Sequence, residues 1–252
     1  MTPSIHHNNN PAATPSHRQL LIKVCGMRDA DNISEVSQLD IDLMGFIFWN
    51  GSKRCVKMIP SRAGIIPDYS EERLRSARQG KSFTAVQPEG IRRVGVFVDE
   101  MPQTIVTAIY NYHLQYVQLH GQESPVMIDN LKRTLIPDIV PDIKVIKAIS
   151  VAGKDDVARY KDYEGLVDLF LFDTRCPTVG GSGSHFDWDV LSAYDGHTPF
   201  LLSGGIGPDD AERVRQFEHP MLAGIDLNSR FETEPGRKDV ERLRTFISKV
   251  RA

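Results

Sequence analysis

Eight short apolar runs, each followed by a longer stretch of helical periodicity, constrain this chain more than any other feature. The runs read LLIKVC, LMGFIF, RVGVFV, YVQL, KVIKAI, DLFLF, FLLS and AGIDL, beginning at Leu20, Leu43, Arg93, Tyr116, Lys144, Asp168, Phe200 and Ala223. Between them lie DADNISEVSQL, MPQTIVTAIYNY, SPVMIDNLKRTL, DWDVLSAY and PDDAERVRQF, and after the last comes KDVERLRTFISKV, whose Val240, Leu243, Phe246 and Ile247 share one helical face. Strand-length runs alternating with helical segments are the mark of parallel β/α architecture. Eight such units in about 230 residues fit an α/β fold of the (β/α)8 TIM-barrel type, a single domain that typically needs about 250. An open doubly wound sheet is the alternative. It usually has fewer strands at this length, and its first turn often carries a GxGxxG pattern that CGMRDA lacks.

The barrel is expected over residues 19–252. Residues 1–18, MTPSIHHNNNPAATPSHR, are polar and aperiodic and read as a disordered arm, whose His6 and His7 lack the further ligands a metal needs. The stretch from Ile65 to Gly90 is too long for a simple connection and is expected to hold the end of the second helix plus an insertion.

Composition narrows the partners. With 40% hydrophobic residues and 25% charged, the 252-residue chain can bury a sizeable core. A formal net charge of -3 offers no basic footprint for nucleic acid or an acidic membrane. The chain has neither a membrane-length apolar run nor a secretory pattern, so a cytoplasmic protein with a small-molecule or protein partner is expected. Cys25, Cys55 and Cys176 form an odd set without CxxC spacing, which suits free thiols in a reducing compartment. No His, Cys or carboxylate cluster at the strand ends has metal-ligand spacing.

In such a barrel the chemistry gathers at the C-terminal ends of the strands. Cys25 ends the first, NGSKR follows the second, His120 ends the fourth, Asp173 with GGSG follows the sixth, and SGGIGP and NSR follow the seventh and eighth. Glycines after the seventh strand let backbone N–H groups approach phosphate oxygens, although an ordinary glycine turn and N-cap would look the same. SGGIGPDD is expected to open a helix with Pro208 early and Asp209 and Asp210 in its first turn.

IKVCGM, GFIFWNGSKR, VGVFVD, VQLHG, FDT followed by GGSGSHFDW, SGGI and GIDLNSRFETEPGRKD together resemble, in order, the blocks of the phosphoribosylanthranilate isomerase family of tryptophan biosynthesis. The resemblance covers nearly everything from Leu20 onward. It implies a barrel, no cofactor, a phosphorylated substrate, and an Amadori rearrangement that turns an aminoaldose into an aminoketose. It implies Cys25 as general base and Asp173 as general acid, on strands roughly 135° apart around the ring. A free thiol near ~8.5 and a free aspartate near ~3.9 would both have to shift.

By the same resemblance Arg54 binds the substrate's carboxylate or a neighbouring oxygen, and His120 lines the pocket. Gly180, Gly181 and Gly183 let the loop after the sixth strand fold over the substrate, with Ser182 where the family usually has threonine. Gly204 and Gly205 hold the phosphate. After the eighth strand the family commonly has Ser-Ser-Gly, and this chain has Asn228, Ser229 and Arg230. Arg230 is expected either to pair with the phosphate or to face solvent or Glu232 and Glu234. Cys176 and Cys55 are expected to be chemically idle. The rivals are another sugar-phosphate isomerase or epimerase, and a non-catalytic phosphate-binding or scaffolding barrel. A monomer or homodimer is expected.

Overall fold

A computed structural model of the chain describes residues 20–56, 90–136, 139–174 and 188–252. The N-terminal arm, the expected insertion up to residue 89, and Cys176, Gly180, Gly181, Ser182 and Gly183 lie outside the described residues.

The strands are β1 (Leu21–Cys25), β2 (Leu43–Ile47), β3 (Arg92–Phe97), β4 (Tyr116–Leu119), β5 (Lys144–Val151), β6 (Leu169–Thr174), β7 (Phe200–Ser203) and β8 (Leu222–Leu227), each within one residue of its expected start. They close in chain order, every neighbouring pair parallel, with β8 pairing back onto β1. This is the closed eight-stranded barrel, and it sets aside the open sheet.

Period-two alternation sorts the side chains into two cores. Cys25, Leu43, Val94, Val96, Tyr116, Ile146, Ala148, Leu169, Leu171 and Leu201 pack together inside the barrel. Their strand neighbours, such as Ile22, Val24, Phe46, Val117, Phe170, Phe172 and Ile225, face the helices and form a second, larger core.

The helices begin where the sequence supplies caps. Asp29 accepts from Asn32 N ahead of α1 (Ala30–Val36), and Ser124 accepts from Met127 N ahead of α3 (Pro125–Leu135). Pro102 opens α2 (Pro102–Tyr112), which ends at His113 in a left-handed conformation. A short α4 (Lys154–Val157) follows β5. Asp239 caps α6 (Val240–Arg251), which buries Leu243, Phe246 and Ile247.

Two elements differ from expectation. DWDVLSAY forms a 3-10 turn over Trp188–Ala193, because Trp188, Leu191 and Tyr194 are all buried and three-residue spacing matches that tighter winding. The helix after β7, α5 (Ala211–Gln216), starts past Pro208 rather than on it. Asp210 Oδ2 accepts from Gly207 N at 2.7 Å and Asp210 N donates to Gly207 O at 3.1 Å, so residues 207–210 are spent on a turn. A hairpin of β9 (Glu232–Glu234) and β10 (Arg237–Lys238) after β8 is an addition.

Candidate active site

A pocket of about 240 Å³ opens at the C-terminal end of the barrel. Cys25, Arg54, His120, Asp173, Gly204, Gly205, Asn228 and Ser229, all marked from the sequence, line it. Cys25 closes β1 and is 3% exposed, pointing inward because it shares parity with Leu21 and Lys23. Asp173 comes from β6, in register with Ser203 of β7.

The turn after β7 runs through Gly204 at φ 90° and Gly205 at φ 72°, a left-handed stretch that side chains rarely adopt. A side chain on Gly205 would meet nothing, so it is the backbone conformation that calls for glycine there. After β8, Asn228, Ser229 and Arg230 pass into a 3-10 turn (Ser229–Phe231), closed by Phe231 N donating to Asn228 O at 3.1 Å. Arg230 has no positive φ, so the arginine in place of glycine brings no backbone strain. Its side chain is exposed and does not line the pocket; it runs along the β7 loop, where a Cβ on Gly207 would stand 3.1 Å from Arg230 Cδ. Among the described residues it pairs with neither Glu232 nor Glu234.

Arg54 lines the pocket with its fork already engaged: Nε and Nη2 donate to Glu232 at 2.8 and 2.5 Å. Nη1 has no partner among the described residues. Glu232 also accepts from Lys238 Nζ at 2.7 Å and from Gly236 N at 3.1 Å. Burial alone would raise this carboxylate, but the hydrogen bonds from Arg54 and Lys238 outweigh it and bring its pKa down to about 2.

His120 stands beside Asp173, Nε2 to Oδ2 at 3.6 Å, and Gln118 Nε2 lies 3.2 Å from His120 Nδ1. A Gln118 amide donating to Nδ1 leaves the imidazole N–H on Nε2, facing the Asp173 carboxyl group. Gln118 Oε1 is buried in this pocket with no hydrogen-bond partner among the described residues. The loop carrying His120 is anchored from β5, where Lys147 Nζ donates to Gly121 O and Glu123 Oε2, both at 2.8 Å, and Glu123 accepts from Gly121 N.

The strand-end pattern did not mark Lys23, Gln118, Asp226, Glu232 or Lys238. Lys23 is 0% exposed, with Nζ 2.8 Å from Asp226 Oδ1, its register partner on β8. Burial pushes the Cys25 thiol above its usual range, with Lys23 the chief influence opposing it. For Lys23, Asp226 and the Cys25 sulfur outweigh burial, and its pKa stands above the ordinary value. The signal for Lys23, Gln118 and Asp226 was one polar letter inside an apolar run. For Glu232 and Lys238 the strand pattern held none.

Among the described residues no group of three or more His, Cys, Asp or Glu stands together to hold a metal, and no helix is long and apolar enough to cross a membrane.

Residues 56–249 match the family described as "PRAI: N-(5'phosphoribosyl)anthranilate (PRA) isomerase". The N-(5'-phosphoribosyl)anthranilate isomerase of Parabacteroides distasonis is 44% identical over 92% of this chain and 93% of its own length. Among solved structures, a phosphoribosyl anthranilate isomerase in complex with reduced 1-(o-carboxyphenylamino)-1-deoxyribulose 5-phosphate is 28% identical, with a TM-score of 0.65 over 92% of this chain and 98% of that one. Monomers generated from the dimeric enzyme of Thermotoga maritima are 26% identical with a TM-score of 0.64, over the same shares.

Proposed function

The chain belongs to the N-(5'-phosphoribosyl)anthranilate isomerase family, and from that premise we propose that Cys25 and Asp173 are the base and the acid of its reaction. The enzyme isomerises N-(5'-phosphoribosyl)anthranilate to 1-(2-carboxyphenylamino)-1-deoxyribulose 5-phosphate, an Amadori rearrangement in tryptophan biosynthesis.

The observation that carries the proposal is that a buried thiol and a carboxylate enter one pocket from separate arcs of the barrel, with a glycine turn between them. Asp173 gives a proton to the ribose ring oxygen as the C1′–O bond breaks and the anilino nitrogen forms the iminium. Cys25, as the thiolate, takes the proton from C2′ and leaves an enolamine. Reprotonation at C1′ and loss of the O2′ proton yield the ketone. Both transfers need groups held on rigid strands, and both groups stand on strand ends.

The substrate's phosphate fits the backbone at Gly204 and Gly205 and the Asn228–Ser229 segment, with Arg230 reaching it from the rim. Nη1 of Arg54 serves the anthranilate carboxylate, and Gln118 Oε1 offers an acceptor to a substrate amine or hydroxyl. No cofactor takes part. The free thiols of Cys25 and Cys55 suit a cytoplasmic enzyme, acting as a monomer or a homodimer like the Thermotoga relative.

Purified protein should consume freshly made N-(5'-phosphoribosyl)anthranilate, seen as loss of its fluorescence. Cys25→Ala and Asp173→Asn should each lower kcat by at least ~100-fold with unchanged thermal stability, the usual scale for losing a general acid or base. Near-normal turnover in either variant would withdraw that residue's assignment.

A further inference from the structure

Cys25 stands in a cluster of ionisable groups whose charges do not balance. On its own strand and the same inward face, Lys23 is fixed by Asp226 Oδ1 of β8 at 2.8 Å. The other oxygen of Asp226 accepts from Ser203 Oγ of β7 at 3.1 Å. From the hairpin after β8, Lys238 Nζ donates to Glu232 Oε1 at 2.7 Å and to Asn228 Oδ1 at 2.8 Å, its side chain 0% exposed. Arg54, from the turn after β2, holds the rest of Glu232. The β2 strand itself carries no charged residue. Gly45, the register partner of Cys25, leaves room for the sulfur there, since a Cβ at that position would stand 2.7 Å from Sγ.

Lys23, Arg54 and Lys238 are three cations; Asp226 and Glu232 are two carboxylates. Within this hydrogen-bonded set, apart from Asp173 of the pocket wall, one positive charge is left over, and the Lys23 and Lys238 side chains are 0% exposed, where an uncompensated charge is costly. We propose, building on the reading of Cys25 as the base, that Lys23 and Lys238 are positioning residues for which the Cys25 thiolate is the missing anion. Their ammoniums make deprotonation of a buried thiol attainable.

The directions of influence agree. Burial disfavours the thiolate most, Lys23 and then Lys238 favour it, and Asp226 opposes it. On balance the thiol stays above its usual range, so the lysines limit a cost rather than abolish it. A second candidate for the missing anion is the substrate itself, through its carboxylate or phosphate. The two are separated by observing the thiol without substrate.

The experiment is an ultraviolet titration of thiolate absorbance in ligand-free full-length enzyme. Each protein is measured against the same protein carrying Cys25→Ala, which removes the signals of Cys55 and Cys176. Lys23→Met and Lys238→Met should each raise the Cys25 midpoint by about one pH unit or more, a tenfold loss of thiolate at a given pH below it. Lys23→Arg should restore it. Asp226→Asn should move it the other way, to lower pH, and this signed shift decides the matter if the methionine variants do not fold. An unmoved midpoint in folded methionine variants, or an unmoved or raised one in Asp226→Asn, overturns the proposal and assigns the surplus charge to the substrate. Failure of the base assignment itself would show separately, as turnover surviving in Cys25→Ala, without altering these titrations.

Discussion

At Glu232 the carboxylate receives two hydrogen bonds from Arg54, one from Lys238 and one from the Gly236 amide, and each favours the ionised form. Its folded pKa of about 2 lies below the ordinary 4.5, so the stabilisation it brings is full above pH 4.5 and is lost as pH falls toward 2. A fall from 4.5 to about 2 corresponds to about 3 kcal/mol. Urea denaturation of the wild type should therefore lose about that much between these limits, and Glu232→Gln should lose correspondingly less over the same window. An identical acid limb in both would deny the pairing its role. Arg54 could be marked from NGSKR, but its partner could not, because Glu232 lies 178 residues away and only the closed barrel joins them. Arg230 is similar: its place after β8 was legible, whereas its course along Gly207 depends on the β7 loop. If it reaches the phosphate as proposed, Arg230→Ala should raise KM on the order of 10-fold with kcat intact, in line with a hydrogen bond to a charged group. An unchanged KM would leave the phosphate to the backbone alone.

The strands were legible as elements because a buried parallel strand is a short apolar run, and eight of them located the pocket before any contact was known. Strand identity also carried the parity that turns Cys25 and Asp173 inward. Lys23 and Asp226 share that parity, and a buried charge inside an apolar run signals a partner across the sheet, which the register between β1 and β8 supplies. The helices were read less well where local chemistry competed with periodicity. Asp210 could cap a helix or close a turn on Gly207, and the sequence does not weigh one hydrogen bond against the other. Tight strand pairing yields a test at this scale. On β2, a Gly45→Ala methyl would come within 2.7 Å of Cys25 Sγ and 3.1 Å of Cys25 Cα, so β1 and β2 must separate or the sulfur must turn away. The expected result is a cost of about 1–3 kcal/mol together with a loss of kcat, read by thermal melting and by turnover. A variant as stable and as fast as the wild type would show that the sulfur does not sit over this glycine.

A closed barrel divides its labour between its two ends: the residues that react stand at the C-terminal ends of the strands, while the opposite end closes the ring. Here the closure is fastened by Arg251, near the end of α6. Its Nη1 donates to Leu20 O at 2.6 Å, just before β1, and Nη2 to Asp42 Oδ2 at 2.8 Å, just before β2. Nε lies 3.1 Å from Asp40 Oδ2. Asp42 Oδ2 in turn accepts from Ile22 N at 2.8 Å, so one arginine ties the last helix to the first two strands. Its side chain is only 11% exposed, which lifts these contacts above the value of a surface ion pair. Arg251→Met keeps much of the packing and removes the donors, leaving the Asp42 carboxylate short of its cation. The cost should be about 1–3 kcal/mol. At about 2–4 °C per kcal/mol for a domain of this size, the melting temperature should fall by several degrees. At a temperature where the variant is folded, kcat and KM should match the wild type, because none of these contacts reaches the pocket. Melting curves paired with turnover on the same preparation make the comparison. A variant that melts normally but turns over slowly would mean that the N-terminal end takes part in the chemistry, against the division of labour the barrel imposes.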